Sequence, residues 1–315
     1  MKNRILNIGT GAAGISAIMW GADTVLMGII LAMTPFIETS EAMFLAPFIS
    51  TFLHDLFSAM WTFLYLCVTK KLKALFKEMK TKSAFYVVIG ALLGGPVGMT
   101  GYLLSIKYLG PSYTAAISSF YPAVGAVLAA IILKEKINKE AWLGLIISIT
   151  GIVILGYSKG DNTGNVLGFV FIILCVLGWG SEAVICGYGM KDEEISSNSA
   201  LQIRQFTSAI VYGFLIIPLI KAIPLTIETI KKPIFIVIIV TALFGTISYL
   251  CYYSAIQKIG ATKAMGINIT YFAWAIIFET IFLGRELSIK TIILGGVIMM
   301  GSYLVAKEPN EIKEA

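Results

Sequence analysis

The chain has 315 residues, 57% of them hydrophobic and only 13% charged, and apolar runs of about twenty residues, enough for one helix to cross a bilayer, recur throughout it. That composition excludes a soluble globular domain and makes the lipid bilayer the expected surroundings. The net charge of +6 would suggest nucleic acid in a soluble protein, but here the position of each charge matters more than the sum, and no nucleic-acid partner is expected.

In chain order, "MKNRILNIGTGAAG" opens with two basic residues and runs into a hydrophobic stretch too long for a cleaved signal, so a retained first helix is expected over 10–33. The acidic segment "TPFIETSEAM" then leads to a helix over 44–68, and the basic loop "TKKLKALFKEMKTK" to one over 84–107. Further helices are expected over 111–133, 140–157, 165–187, 199–220, 233–257, 261–284 and 289–306. The fold class is therefore an all-α polytopic membrane protein with ten transmembrane helices. With the N-terminus inside, inner segments hold sixteen of the 24 Lys and Arg residues, outer segments hold seven, and Arg204 lies within a helix. This bias predicts a cell-membrane protein with both termini cytoplasmic.

The sequence also repeats. "YLLSIKYLG" at 102–110 lies 150 residues before "YYSAIQKIG" at 252–260, and the same offset pairs Tyr121 with Tyr271, Gly151 with Gly301 and "HDLFSA" (54–59) with "RQFTSA" (204–209). "WGAD" at 20–23 and "WGSE" at 179–182 match at an offset of 159. Five helices per copy reverse the second copy across the membrane, which gives an inverted repeat over 1–158 and 159–307 and a short cytoplasmic tail over 308–315. Two fused halves make a monomer sufficient for transport and do not forbid dimers.

Charged groups within the apolar runs are costly, roughly 2.5–3.5 kcal/mol each at mid-membrane, and mark candidate sites. Glu182 is the most exposed to that cost. His54 and Asp55 fall mid-helix, where an acid beside an imidazole can pass protons near neutral pH. Asp23 lies nearer its helix start and reads as structural. Arg204, a turn or two into its helix, could snorkel to the surface or read a substrate carboxylate. Trp179 and Glu182 share a helix face at i, i+3, as do Tyr271 and Trp274, while Tyr249 and Tyr253 share one at i, i+4. Trp20 and Tyr121 add rings from the first half. Packing explains each ring singly, but rings with one carboxylate form what an organic cation needs, since a quaternary ammonium offers no N–H and is held by ring quadrupoles.

The glycine-rich "GALLGGPVGMTG" (90–101) matches no nucleotide-binding pattern and reads as a closely packed or bent helix. The cysteines Cys67, Cys175, Cys186 and Cys251 lack disulfide-framework or zinc spacing. With no nucleophile, metal-ligand cluster or paired carboxylates, neither an enzyme nor a metal or other cofactor is expected.

"WG" early in each half together with "YLGPSYTAAISSFYPAVGAVLAAIILKEKI" resembles the EamA-type branch of the drug/metabolite transporter superfamily. "GALLGGPVGM", "WGSEAV", "IRQFTS", "ISYLCYYSAI" and "GINITYFAW" are similar to the LicB-type bacterial choline permeases. The resemblance implies choline import into a cage walled by Trp20, Tyr249, Tyr253, Tyr271, Trp274 and Tyr121, with Glu182 as counter-charge. It leaves the roles of His54, Asp55 and Arg204 undecided. The expected driving force is the membrane potential, with proton coupling through Glu182 or His54–Asp55 left open. The competing reading is an exporter of amino acids or other small metabolites, in which Arg204 reads a carboxylate.

Overall fold

A computed structural model describes residues 2–132, 139–157, 163–191, 194–284 and 288–306, all-helical apart from turns. The expected tail over 308–315 lies outside them. Ten apolar helices run through the described residues, and we label them α1 to α10. Those of the first half are α1 (Lys2–Leu31), α2 (Ser40–Val68), α3 (Lys82–Leu109), α4 (Pro111–Ser118 and Tyr121–Ile132) and α5 (Lys139–Tyr157). Those of the second half are α6 (Thr163–Gly189), α7 (Ser197–Leu219), α8 (Ile234–Ile259), α9 (Ala261–Asn268 and Tyr271–Leu283) and α10 (Ile289–Ala306). Eight carry apolar spans of 19 to 29 residues, long enough to cross a membrane, so the protein is multi-pass. The apolar parts of α5 and α10, Trp142–Ile152 and Ile289–Leu304, are shorter.

Local sequence sets the ends. The expected start of α2 at 44 moves to Ser40 because the side chain of Thr39 accepts a hydrogen bond from the Ala42 amide at 3.0 Å and Glu41 sits in the first turn, a favourable pairing with the helix dipole. Gly110 and Gly260 follow α3 and α8 with φ of 87° and 83°, a region open to glycine at no steric cost, and the next helix starts at once. Both α4 and α9 then break two residues before Tyr121 and Tyr271, so each tyrosine opens the second piece of its helix. The glycine-rich run of α3 widens into a π-helix at Leu93–Met99 around Pro96, whose missing N–H cannot close an ordinary turn.

Packing follows a matched pattern. α1 lies on α8 and α9, and α6 lies on α3 and α4, while α2 faces α7 and α5 faces α10. The close approaches match in detail: a Cβ on Gly21 of α1 would stand 3.0 Å from the Tyr271 carbonyl of α9, and one on Gly180 of α6 3.0 Å from the Tyr121 carbonyl of α4. The helix ends and connections also meet: Lys107 donates to the Met43 carbonyl at 2.6 Å, Lys232 reaches Glu38 at 3.7 Å, and Glu78 accepts from the Ser196 amide and hydroxyl, both at 2.9 Å.

Candidate functional site

Between α1, α4, α6, α8 and α9 lies a cavity. Its lining includes Trp20, Tyr121, Trp179, Glu182, Tyr249, Tyr253 and Tyr271. The rings meet as corners. Trp20 stands edge-on to Trp179 at 5.5 Å and 75° and to Tyr249 at 5.2 Å and 71°, while Tyr121 meets Trp179 at 6.1 Å and 89°. Perpendicular rings turn several faces toward one space, whereas a stack presents one. Trp274 lies outside this lining: its Cβ presses on Gly21 of α1, and its ring stacks on Phe278 at 6.3 Å.

The lining also contains residues that the periodicity did not single out, notably Ser16, Ser248, Tyr252 and Asn268. Tyr252 sits three residues after Tyr249, on the face already marked by Tyr249 and Tyr253. No local signal marks Ser16 and Asn268, whose contact spans 252 positions of sequence.

Glu182 is the charged group of the lining, and its position is tightly held. Oε1 accepts from Arg204 Nε at 2.9 Å and from the Tyr253 hydroxyl at 2.8 Å. The carboxylate lies over Gly94, in the widened part of α3, where a Cβ would collide with it. Arg204 is fully buried, so it does not snorkel. Its Nη1 donates to Asp55 Oδ2 at 3.3 Å and to Gln205 Oε1 at 2.5 Å, its Nη2 donates to the Tyr249 hydroxyl at 3.0 Å, and the guanidinium centre lies 4.6 Å from that ring's centroid. Asp55 Oδ2 also accepts from Ser208 at 2.5 Å.

The network continues into the first half. His54 Nδ1 faces Asp55 Oδ1 at 3.2 Å and Nε2 faces Asp23 Oδ1 at 3.0 Å, all three side chains fully buried. Two carboxylate oxygens facing two ring nitrogens call for two hydrogens, one more than a neutral imidazole carries. Three carboxylates against the guanidinium and that additional proton leave one formal negative charge. Asp23, expected near its helix start, lies instead past the middle of α1 (Lys2–Leu31) and is the far end of a chain of polar contacts that reaches Glu182.

By the sequence offsets of 159 and 150, Asp23 and His54 stand at the positions of Glu182 and Arg204. This combination of helical span, paired broken helices and a central cavity is accompanied by a match to the EamA-like transporter family over residues 7–157 and 166–307. The chain belongs to the EamA-like transporter family. It is thus a multi-pass member of a family of transporters. Protein LicB of Haemophilus influenzae is 40% identical over 189 residues, 60% of this chain, and the match spans 63% of LicB, less than two thirds of its length. An uncharacterized transporter of Archaeoglobus fulgidus is 22% identical over 74% of this chain and 81% of its own. A solved crystal structure, 14% identical, superposes with a TM-score of 0.59 over 93% of this chain and 94% of that one, a likeness of fold alone.

Proposed function

We propose that this EamA-family protein imports choline, or a closely related quaternary amine, across the cytoplasmic membrane by alternating access. The observation that carries the reading is the cavity itself, in which mutually perpendicular aromatic rings surround a space bordered by the carboxylate of Glu182. A desolvated cation gains about 0.5–2 kcal/mol per ring face, so three or four faces reach the roughly 8 kcal/mol that micromolar binding requires only at the upper end of that range. The carboxylate supplies the remainder, and a single positive charge neutralises the one negative charge left on the buried network. The similarity to LicB points the same way.

In this reading all ten apolar helices cross the membrane with both termini cytoplasmic, and 1–158 and 159–307 form two inverted halves rocking about the shared rings. The matched contacts of Gly21 and Gly180 support that division. Asp23, His54, Asp55 and Arg204 hold Glu182 in place, and Trp274 backs α9 against α1. An inside-negative potential drives a cation inward with about 2.3 kcal/mol per 100 mV, roughly fiftyfold accumulation. Protons moving through Glu182 or His54–Asp55 would add a dependence on external pH. The amino-acid exporter needs Arg204 free at the cavity, but Glu182, Asp55, Gln205 and Tyr249 already engage its nitrogens.

The test is uptake of labelled choline into proteoliposomes under an imposed inside-negative potential. Wild type should show saturable uptake, and Glu182→Gln and Trp20→Ala should each lower it at least about tenfold, the equivalent of one charge contact or ring face. A wild type that moves amino acids and no choline would overturn the cation reading.

A further inference from the structure

One side of the cavity carries neutral polar groups to which a quaternary ammonium cannot hydrogen-bond. Ser16 of α1, Ser248 of α8 and Asn268 of α9 border it together and are bonded into one cluster. Asn268 Nδ2 donates to Ser16 Oγ at 2.7 Å, the Ser16 and Ser248 hydroxyls lie 3.0 Å apart, and Ser248 Oγ donates to the Ser16 carbonyl at 2.9 Å. The Tyr121 hydroxyl reaches Asn268 Oδ1 at 3.4 Å.

A side-chain amide has two N–H donors and two carbonyl lone pairs, and these contacts use one of each. What remains on Asn268, beside an aromatic cavity, is one donor and one acceptor. An alcohol presents the complement, one O–H and free lone pairs. A trimethylammonium head presents neither, and a carboxylate presents acceptors alone. Three separate helices converge to place this amide, and Ser16 and Ser248 fix its orientation, as a specificity group requires.

Resting on the cation-import reading, we propose that Asn268, positioned by Ser16 and Ser248, binds the hydroxyl of the substrate, so that the transporter selects amino alcohols with a quaternary nitrogen over quaternary amines lacking the hydroxyl. A hydrogen bond of this kind is worth up to about tenfold in affinity, and more where the site's own groups are left unpaired by the wrong substrate.

The probe is propyltrimethylammonium, which replaces the choline hydroxyl with a methyl group at nearly the same size and charge. Each cation is measured as a competitor of labelled choline uptake in proteoliposomes holding the full chain. Wild type should prefer choline by about tenfold or more, and in Asn268→Ala the ratio of the two affinities should fall toward one, whatever the absolute rates. Should Asn268→Ala fail to give a monodisperse protein, Ser248→Ala and Ser16→Ala should show a smaller fall in the same ratio. Equal wild-type affinities would overturn the hydroxyl subsite and leave the cation reading standing. No uptake of choline and no competition by either cation would overturn both.

Discussion

The two acidic motifs of the sequence, "WGAD" and "WGSE", lead into regions that match position by position and differ in one respect. Around Glu182, the residues Ala183, Tyr252, Tyr253 and Asn268 border the cavity. Around Asp23, the counterparts Thr24, Tyr102, Leu103 and Ser118 are buried and do not border that cavity. Thr24 and Tyr102 share a hydrogen bond of 2.7 Å, and Ser118 bonds the Tyr271 hydroxyl at 2.5 Å. Between the regions stand the paired rings Trp20 with Trp179 and Tyr121 with Tyr271. Small differences of residue type accompany the contrast: Thr24 ties its tyrosine down where Ala183 has no group to do so. On the proposed reading of two inverted halves, exchange between such a pair of regions is what moves the cargo across.

The largest expected effect comes from breaking the network that joins the regions. Arg204 holds Glu182 and Asp55, whereas His54 holds Asp23 and shares Asp55 with Arg204. Removing one partner of a buried ion pair costs about 3–5 kcal/mol, because the remaining charge is left uncompensated. Arg204→Met should therefore lower the melting temperature in detergent far more than His54→Asn, which leaves Asp55 its guanidinium. The double variant Arg204→Met with Glu182→Gln should recover part of the loss. Unchanged melting of Arg204→Met would mean that the network carries little stability.

Much of this was legible in the sequence, for physical reasons that also mark where legibility ends. Helical spans follow from run length, since a bilayer imposes about twenty apolar residues on each. Of the rings that border the cavity, Trp179, Tyr249, Tyr253 and Tyr271 were marked by i, i+3 and i, i+4 spacing, which fixes a shared helix face. That rule does not say which neighbour the face meets, so Trp274, on the face of Tyr271, packs against α1 instead. The cluster of Ser16 and Asn268 had no sequence signal, because each residue is common in membrane helices and their contact is made only by folding. Arg204 was ambiguous because snorkelling depends on depth and neighbours, and the π-helical widening of α3 that seats the Glu182 carboxylate over Gly94 is a tertiary consequence of Pro96 and close packing.

Gly94 offers a smaller and more selective test. A Cβ there would overlap the Glu182 carboxylate, which Arg204 and Tyr253 already hold in place, and overpacking of this kind costs about 1–3 kcal/mol. Gly94→Ala should lower choline uptake about tenfold by displacing the counter-charge. Gly296→Ala, where a Cβ meets nothing within 4 Å, should match wild type. Equal uptake in the two variants would show that Glu182 need not stand where it does.

The smallest effect bears most directly on the contrast between the regions. Met27 of α1 matches Cys186 of α6; both are fully buried, but Cys186 borders the cavity and Met27 does not. In a Cys67→Ser background, which removes the exposed native thiol, Cys186 should react with a small thiol reagent faster than a cysteine introduced by Met27→Cys. Thr24→Ala gives the closed region the residue type of the open one and removes the bond to Tyr102, worth about 1 kcal/mol. If that bond holds the region shut, the change shifts the balance of states about fivefold, and labelling after Met27→Cys should accelerate by the same factor while labelling of Cys186 slows. Acceleration at both positions would indicate general loosening, because only an exchange between two states makes one region close as the other opens.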